Sequence, residues 1–310
     1  MSEIEQIKSE PKRYSVDEAF EYCAHITNAH YENFPVASLF LPAEKRPYIQ
    51  AIYAFSRAAD DFADEGKLNP EYRTALLDDW EDKLRRCYEG SADHPVFIAL
   101  QETVRKNDIP IELLKDLITA FKRDVVQNRY ETFEDLLSYC ACSANPVGRL
   151  VLLIFGYREE ELLICSDAIC TALQLANFWQ DVEVDKMKDR LYLPLDEMKQ
   201  YGYSIEDWKH SVYNEEFTRL MKFQLERTRE LFYSGAELPS LVNNDLQLEL
   251  KLVWFGGMSI LKKIDRVKYN VYAQRPKLTT SNKVMVFLRG LFMNDLSRYG
   301  KKKEAWDLTP

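Results

Sequence analysis

The chain has 310 residues, a length that suits one large helical domain, and its 10 Gly and 12 Pro are few for a turn-rich β protein. The formal net charge of −9 and the lack of a basic and aromatic stripe argue against a nucleic-acid-binding protein, because phosphate-backbone binding depends on clustered Lys and Arg. The six Cys form no C-x-x-C pair and only four His are present, which argues against a zinc site and favours buried thiols of a reducing compartment.

The N-terminal residues 1–13 are charged and lack a continuous apolar core, so they predict a tail and neither a secretory signal nor a membrane anchor. A second tail is predicted at 301–310. No window approaches the roughly 18 uninterrupted apolar residues that a membrane-spanning helix needs. We therefore expect a cytoplasmic protein whose contact with the inner face of the cell membrane is at most transient and peripheral.

Apolar residues recur at helical spacing in four early stretches, residues 16–29, 43–63, 72–87 and 95–104. The connections between these stretches are rich in turn-forming residues and too short to be interdomain linkers. The sequence therefore predicts a single all-α domain over residues 14–300.

The second half of the chain continues the helical pattern. A long helix is predicted at 159–185, and a polar region with short helices follows it up to His210. Two more long helices are predicted at 215–234 and 246–272, and a last one at 281–299. No repeat, low-complexity tract or alternating strand pattern occurs.

A first acidic cluster lies in the second predicted helix, where Asp60 and Asp64 are four residues apart and project from the same face. Tyr53 and Arg57 continue this face toward the start of the helix. Like charges at this spacing destabilise an isolated helix by about 0.2–0.5 kcal/mol, and apolar residues surround them here. We therefore expect these carboxylates to have a compensating partner.

A second acidic cluster stacks Asn177, Asp181 and Asp185 on one side of the long helix, with Gln174 one turn earlier. The other faces of this helix are apolar, which predicts a central helix whose carboxylates face an internal cavity. Magnesium prefers a few carboxylate oxygens and leaves positions for phosphate oxygens. The two clusters together favour a magnesium-diphosphate site, although either cluster alone is also typical of a solvated helix face.

Four segments resemble the squalene and phytoene synthase family, whose members join or rearrange long prenyl diphosphates. They are residues 30–34, residues 53–64 with the first aspartate-rich motif, residues 145–148, and residues 177–192 with the second motif and its trailing Arg-x-Tyr. The resemblance covers nearly the whole chain. It implies an isoprenoid synthase-type helical bundle around a central apolar cavity, with a Val-Gly break in the helix pair at 145–148 beside the substrate channel.

The resemblance also implies roles for individual residues. The cofactor Mg²⁺ would be bound by Asp60, Asp64, Asp181 and Asp185. The substrate diphosphate would be held by His30, Arg57, Gln174, Asn177, Arg190 and Tyr192. The ionising carbon would be faced by Tyr53, Tyr130 and Tyr269. Further basic residues that are candidates to reach the diphosphate are Arg275, Lys277 and Lys283.

The chain departs from the family pattern at Gln180, where many members have Arg, and at Tyr31 and Asn33, where many have Ser. One fewer guanidinium beside the second motif argues against condensing two anionic substrates. The strings at 145–150 and 178–181 resemble the hydroxysqualene synthase branch of hopanoid pathways. That branch converts presqualene diphosphate and water to hydroxysqualene and diphosphate.

Two alternatives stay open. One is a head-to-head prenyltransferase that makes squalene, presqualene diphosphate, dehydrosqualene or phytoene. The other is a non-catalytic helical protein that serves interaction or assembly, which the intact acid pairs argue against. For the enzyme we expect a prenyl diphosphate substrate, no nucleic acid, transient contact with a membrane surface, and other enzymes of the pathway as partners.

Overall fold

The described part of the chain is α-helical. A computed structural model describes residues 14–29, 41–293 and 296, and the only β pairing within them is an isolated bridge between Arg129 and Leu191. In the described residues the helices are α1 (Val16–Ala29), α2 (Arg46–Asp64), α3 (Pro70–Tyr88), α4 (Pro95–Asn107), α5 (Ile111–Val126), α6 (Phe133–Ser143), α7 (Asn145–Ile154), α8 (Glu160–Lys186), α9 (Leu195–Tyr201), α10 (Ile205–Lys209), α11 (Glu215–Ser234), α12 (Leu238–Leu241), α13 (Asn244–Arg266) and α14 (Thr280–Phe292). The predicted all-α class is confirmed.

The chain divides into two compact units, Met1–Val125 and Val126–Pro310. Helices α1 to α5 form the first unit, with the last residue of α5 at the division, and α6 to α14 form the second. The single domain at 14–300 stays a prediction. The tails predicted at 1–13 and 301–310 lie outside the described residues.

The first unit is built around α2, which packs against α1, α3 and α4. One face of α2 is apolar and buries Phe55 and Phe62 against Trp80 of α3, with ring centroids 6.0 and 5.3 Å from that of Trp80. Phe97 of α4 completes the cluster at 4.5 Å from Trp80. Because this core fixes the rotation of α2, the first acidic motif lies on the remaining, half-buried face.

The second unit is built around α8, which packs against α6, α7, α11, α12 and α13. Leu175, Phe178 and Trp179 of α8 are buried, and the indole N–H of Trp179 donates to Thr228 Oγ1 of α11 at 2.9 Å. This bond satisfies a polar group that burial would otherwise penalise. The prediction of a central helix that carries the second acidic motif is confirmed.

The helix pair α6 and α7 breaks earlier than the Val-Gly pair that the resemblance implied. The break lies at Ala144, and not at 147–148, because Pro146 has no N–H to donate and its ring disfavours a continued helix. Gly148 lies inside α7, where a Cβ atom would approach Cys170 Sγ to 2.6 Å and Ser166 Oγ even more closely. The glycine therefore allows α7 to approach α8.

The last two long helices are shorter than predicted. The helix expected at 246–272 ends at Arg266, and Lys268 and Tyr269 then adopt φ of 53° and 65°, which a helix cannot contain. The helix expected at 281–299 ends at Phe292, and Met293 is extended with φ −100° and ψ 106°. Most of the remaining predicted range lies outside the described residues.

Two stretches, Phe133–Ile154 and Glu160–Lys186, have the length and mean hydropathy of a membrane-spanning helix. They contain α6, α7 and α8, and 44% and 50% of their most apolar windows is buried in the structure. Core helices of helical proteins have the same composition. The packing of α8 on five other helices explains its apolar character.

Candidate active site

The first acidic motif contains ion pairs within its own helix. The Arg57 guanidinium lies 3.1 Å from Asp60 Oδ2 and 2.5 Å from Asp61 Oδ1, and all three residues belong to α2. The side chain of Asp60 is 45% exposed, so solvent screens this pair. Asp64 is half-buried one turn after Asp60 on the same face. Arg57 is therefore a partner of Asp60, one of the two carboxylates for which the sequence predicted compensation.

Tyr53 lies one turn before Arg57 on this face and is half-buried. Burial raises the pKa of its phenol, Arg57 lowers it, and the carboxylates of Asp60 and Asp61 raise it further. The phenol thus keeps its proton at neutral pH and is a hydrogen-bond donor. Its place beside the acids agrees with the predicted one, and its catalytic role stays a prediction.

The second acidic motif contains a buried carboxylate that a distant segment clamps. Asp181 is 8% exposed, and Arg275 donates from Nη2 to its Oδ2 at 2.8 Å and from Nε to its Oδ1. Asn177, which is itself exposed, adds a bond from Nδ2 to Oδ2 of Asp181 at 3.1 Å. The side chains of Asn177 and Asp181 therefore meet as predicted, and Arg275 supplies the positive charge.

Gln180 fixes the segment that carries this arginine. Its side-chain Nε2 donates to the backbone carbonyl of Pro276 at 2.6 Å. Gln180 stands where many related sequences have Arg, yet a guanidinium still reaches the motif from Arg275, 94 residues beyond Asp181. The departure at Gln180 therefore does not leave the second motif without a guanidinium.

Asp185 lies one turn after Asp181 and is strongly perturbed. Burial, and then the neighbouring Asp181 carboxylate, raise the pKa of Asp185 to about 7, although Arg190, Lys188 and Arg275 lower it. The backbone N–H of Arg190 also donates to the Asp185 carbonyl at 2.9 Å, which keeps the two residues together. Two adjacent carboxylates with incomplete compensation form a site that favours an added cation.

Three predicted site residues line one pocket in the second unit, Asp185, Arg190 and Tyr192. The pocket is a small cleft with a cavity volume of about 10 Å³, and it opens to solvent. Its remaining walls are Phe178, Trp179, Val182, Leu191, Leu193 and Trp208. Asp185 and Arg190 thus line the same small space. The larger central cavity implied by the resemblance stays a prediction.

An aromatic cluster surrounds this pocket. The Tyr192 ring stacks on Phe178 with centroids 3.7 Å apart and planes 9° apart, and Tyr130 stacks on Tyr192 at 5.7 Å. Tyr139 of α6 lies 5.6 Å from Tyr130 and 6.1 Å from Phe178. Backbone bonds, such as the one from Leu195 N–H to the Tyr130 carbonyl at 3.0 Å, hold the two segments together. Tyr130 and Tyr192 therefore belong to the same aromatic cluster.

The other predicted residues are placed as follows. Tyr269 is half-buried beside Asp265, and burial, followed by the charge of Asp265, raises its pKa to about 12. Arg229 forms an ion pair with Asp265. Gln174 is half-buried on α8, one turn before Asn177. The roles of these residues stay predictions.

His30 lies outside the described residues, as do Tyr31 and Asn33. Of the additional basic candidates, Lys277 and Lys283 are exposed. The structure therefore selects Arg275 from the three, because its guanidinium contacts a predicted metal ligand.

A model of the squalene and phytoene synthase family matches residues 27–282, which is most of the chain. The chain belongs to this family. Family members act on prenyl diphosphates, so this protein is an enzyme of isoprenoid biosynthesis. The match includes both acidic motifs and the aromatic cluster around Tyr192.

Individual relatives divide between two reactions. The chain is 30% identical over 298 residues to the 15-cis-phytoene synthase of Synechococcus elongatus, a match that covers 91% of this chain and 96% of that protein. It is 40% identical over 179 residues to the hydroxysqualene synthase of Zymomonas mobilis, covering 57% of this chain and 59% of that protein.

The fold agrees with solved structures of the family. The squalene synthase HpnC from Alicyclobacillus acidocaldarius superposes with a TM-score of 0.79 at 42% identity, covering 82% of this chain and 96% of that one. A dehydrosqualene synthase superposes with the same TM-score of 0.79 at 25% identity, covering 89% and 96%. The predicted isoprenoid synthase-type fold is confirmed.

The family generally uses Mg²⁺ to ionise the diphosphate, and the donors of the second motif fit this ion. Asp181 and Asp185 offer hard oxygen ligands from one helix, and their mutual repulsion would be relieved by a divalent cation. Among the described residues no group of three or more His, Cys, Asp or Glu side chains forms a potential metal site. Magnesium commonly takes one or two carboxylates and completes its shell with water and phosphate oxygens.

Sequence reasoning underrated Arg275 and missed Trp208, Leu191 and Leu193 as pocket walls. Arg275 follows a run with no regular structure, so no periodicity assigns its side chain to a face. The departure at Gln180 was a signal that could have pointed to Arg275, because an acidic motif without its usual guanidinium suggests that another one reaches it.

Proposed function

We propose that this enzyme is a hydroxysqualene synthase, which converts presqualene diphosphate and water to hydroxysqualene and diphosphate. The carbon-oxygen bond to the diphosphate breaks, and both electrons leave with the diphosphate. The cyclopropylcarbinyl cation rearranges, and a water oxygen forms the new carbon-oxygen bond and releases a proton. No oxidant or reductant is required.

The single observation that carries the proposal is the arrangement of charge around Asp181 and Asp185. One carboxylate is buried, the other has its pKa raised to about 7, and the positive groups around them come from Arg190, Lys188 and Arg275. Such alternation of anions and cations suits a metal-bound diphosphate. Buried charges reduce the stability of the folded state, so their presence here supports a functional role.

In this proposal the acidic residues Asp60, Asp64, Asp181 and Asp185 hold Mg²⁺, which supplies charge neutralisation for the leaving diphosphate. Arg190 donates hydrogen bonds to diphosphate oxygens, and Arg57 does so from the first motif. Asn177 orients the Asp181 carboxylate through its 3.1 Å hydrogen bond. Gln174, His30 and Tyr192 would add polar contacts to the diphosphate.

The aromatic cluster supports the second half of the reaction. Tyr130 is 1% exposed and stacks on Tyr192, so its ring is held rigidly beside the pocket. Aromatic faces stabilise a nearby cation without reacting with it, by about 0.5–2 kcal/mol each. We propose that Tyr130, Tyr53 and Tyr269 protect the rearranging cation until water captures it.

Two observations support this branch. Gln180 replaces the arginine of many condensing relatives, and its amide is committed to the Pro276 carbonyl. The identities of 40% and 42% to a hydroxysqualene synthase and to the squalene synthase HpnC exceed the 30% to a phytoene synthase.

A head-to-head prenyltransferase is the second candidate. The specific observation in its favour is Arg275, because this residue returns to the second motif the guanidinium that a second diphosphate would require. The phytoene synthase match also spans 91% of the chain, whereas the hydroxysqualene synthase match spans 57%.

Product analysis tests the proposal. The full-length protein with Mg²⁺ is incubated separately with presqualene, farnesyl and geranylgeranyl diphosphates in ¹⁸O-labelled water, and products are identified by mass spectrometry. We expect presqualene diphosphate alone to yield an alcohol that carries one ¹⁸O atom, because the hydroxyl oxygen comes from water.

Consumption of only farnesyl or geranylgeranyl diphosphate would show a condensing prenyltransferase. A non-catalytic protein would consume none of the three substrates. It would also show no rise in melting temperature with Mg²⁺ and diphosphate, where a ligand at 100 times its Kd adds about 2.7 kcal/mol to the free energy of unfolding. Asp181→Asn removes a carboxylate of the proposed site. Glu161→Gln, at the exposed start of the same helix, is its matched control.

A further inference from the structure

Helix α14 is apolar on two opposite faces. On one face Val286 and Gly290, four residues apart, are buried as the helix packs against α13. A Cβ atom at Gly290 would lie 2.9 Å from Leu252 Cδ2 and 3.2 Å from Leu248 Cδ1, so the two helices approach closely there. This contact fixes the rotation of α14 and determines which side chains point away from the second unit.

The outward face carries five large apolar side chains. Their exposed fractions range from 41% to 79%, and they are Val284, Met285, Leu288, Leu291 and Phe292. At 100° per residue these positions span an arc of roughly 120° centred opposite Val286 and Gly290. A contiguous exposed apolar face of this kind marks a contact surface, whereas single exposed apolar residues do not.

The charge around this face indicates what contacts it. Helix α14 contains no Asp or Glu, Arg289 lies about 40° beyond one edge of the apolar arc, and Lys283 is exposed in the first turn of the helix. Residues 262–303 contain twelve Lys and Arg and two Asp, in a chain whose formal net charge is −9. Positive charge is therefore concentrated in the part of the sequence that includes α14.

We infer that α14 docks on the surface of an anionic phospholipid bilayer, with its outward apolar face in the boundary between headgroups and acyl chains. Thirteen residues give a helix about 20 Å long, enough to lie in the plane of the interface and too short to span it. Apolar burial and attraction of nearby Lys and Arg to anionic headgroups act together in such contacts.

Charge complementarity favours the bilayer over a second copy of the chain. A two-fold contact through this face would place the same surface against itself, so Arg289 at its edge would meet equally basic surroundings. Anionic lipid headgroups would instead neutralise it. The inference does not depend on which reaction the active site performs.

Vesicle flotation tests this assignment. The full-length protein is mixed with vesicles of phosphatidylcholine alone or of phosphatidylcholine with phosphatidylglycerol, at low and at high salt. We expect at least tenfold stronger binding to the vesicles with phosphatidylglycerol, and a clear loss of binding at high salt because salt screens the attraction.

Variants then locate the surface. Leu288→Ser with Phe292→Ser should weaken binding at least tenfold, and Lys283→Gln should weaken it severalfold. Ile164→Ser removes an equally exposed apolar side chain from α8 and serves as the matched control, with binding unchanged. Circular dichroism melts confirm folding, and Val284→Ser with Leu291→Ser replaces the first variant if it unfolds.

Three results would overturn the inference. The first is equal binding to both vesicle types at both salt concentrations. The second is vesicle binding that both α14 variants leave intact. The third is a dimer in light scattering that Leu288→Ser with Phe292→Ser dissociates, which would assign the face to a second copy.

Discussion

Asp60 in α2 meets a guanidinium three residues away in its own helix, whereas Asp181 in α8 meets one that follows 94 residues later. The two side chains also differ in burial, with Asp60 45% exposed and Asp181 11% exposed. A solvated ion pair within one helix has a small desolvation cost and contributes little to the free energy of unfolding. A buried carboxylate requires partners at defined positions, and tertiary structure must provide them.

This difference separates a carboxylate with an ion-pair partner in its own helix from one whose partner comes from a distant segment. Arg57 bridges Asp60 and Asp61 through i+3 and i+4 spacing, which any helix offers. Gln180, the neighbour of Asp181, donates to the carbonyl of Pro276, the neighbour of Arg275. This bond holds the backbone at Arg275 close to Asp181. The second motif should therefore respond more strongly to substitution than the first.

The largest effect is expected from Asp181→Asn. The substitution keeps the size of the side chain but removes the charge that binds Arg275 and that is proposed to bind Mg²⁺, so kcat/KM should fall on the order of 10³-fold. Steady-state kinetics on the substrate identified above measures the loss, with Asp60→Asn for the first motif and Glu161→Gln as the control. A loss below threefold would contradict the assignment of Asp181 to the site.

A second effect concerns pH. Because the pKa of Asp185 is raised to about 7, the folded protein favours its protonated form, whereas the unfolded chain ionises near pH 4. The stability contributed by the protonated form is complete below the unfolded pKa and is lost as pH rises through about 7.

Asp185→Asn should therefore stabilise the metal-free protein relative to the unsubstituted protein by an amount that grows from pH 4 to pH 7 and then levels off. The difference in the free energy of unfolding should be on the order of 4 kcal/mol at most. Urea melts with a chelator measure it. Excess Mg²⁺ should reduce or reverse the difference, and a difference independent of pH would exclude the raised pKa.

The smallest expected effects are changes in the free energy of unfolding when Arg275 or Arg57 is replaced. Arg275→Ala should lower the free energy of unfolding by about 1 kcal/mol, a value reduced for the 37% exposure of its side chain. Arg57→Ala should cost about 0.2–0.5 kcal/mol, as for other pairs within one helix. Mg²⁺ should recover more stability in Arg275→Ala than in Arg57→Ala. Equal losses of unfolding free energy in the two variants would contradict the proposed difference between the two motifs.

Local patterns predicted most of the secondary structure. The ranges 16–29 and 215–234 coincide with α1 and α11, because apolar periodicity and polar borders act within each segment. The predictions failed where single residues interrupt a continuous pattern. The helix pair breaks at Ala144 and not at the Val-Gly pair that the resemblance implied, and left-handed φ at Lys268 and Tyr269 ended α13 at Arg266.

For the candidate site, the sequence by itself determined the two acidic helix faces, the central position of α8 and the membership of the family. Helical spacing is sufficient for this, since residues three or four apart share a face whatever surrounds the helix. Only the tertiary structure decided that Arg275 clamps Asp181, that Tyr130 stacks on Tyr192, and that α14 turns an apolar face outward. These contacts join residues far apart in the chain, and their geometry depends on packing that no local pattern encodes.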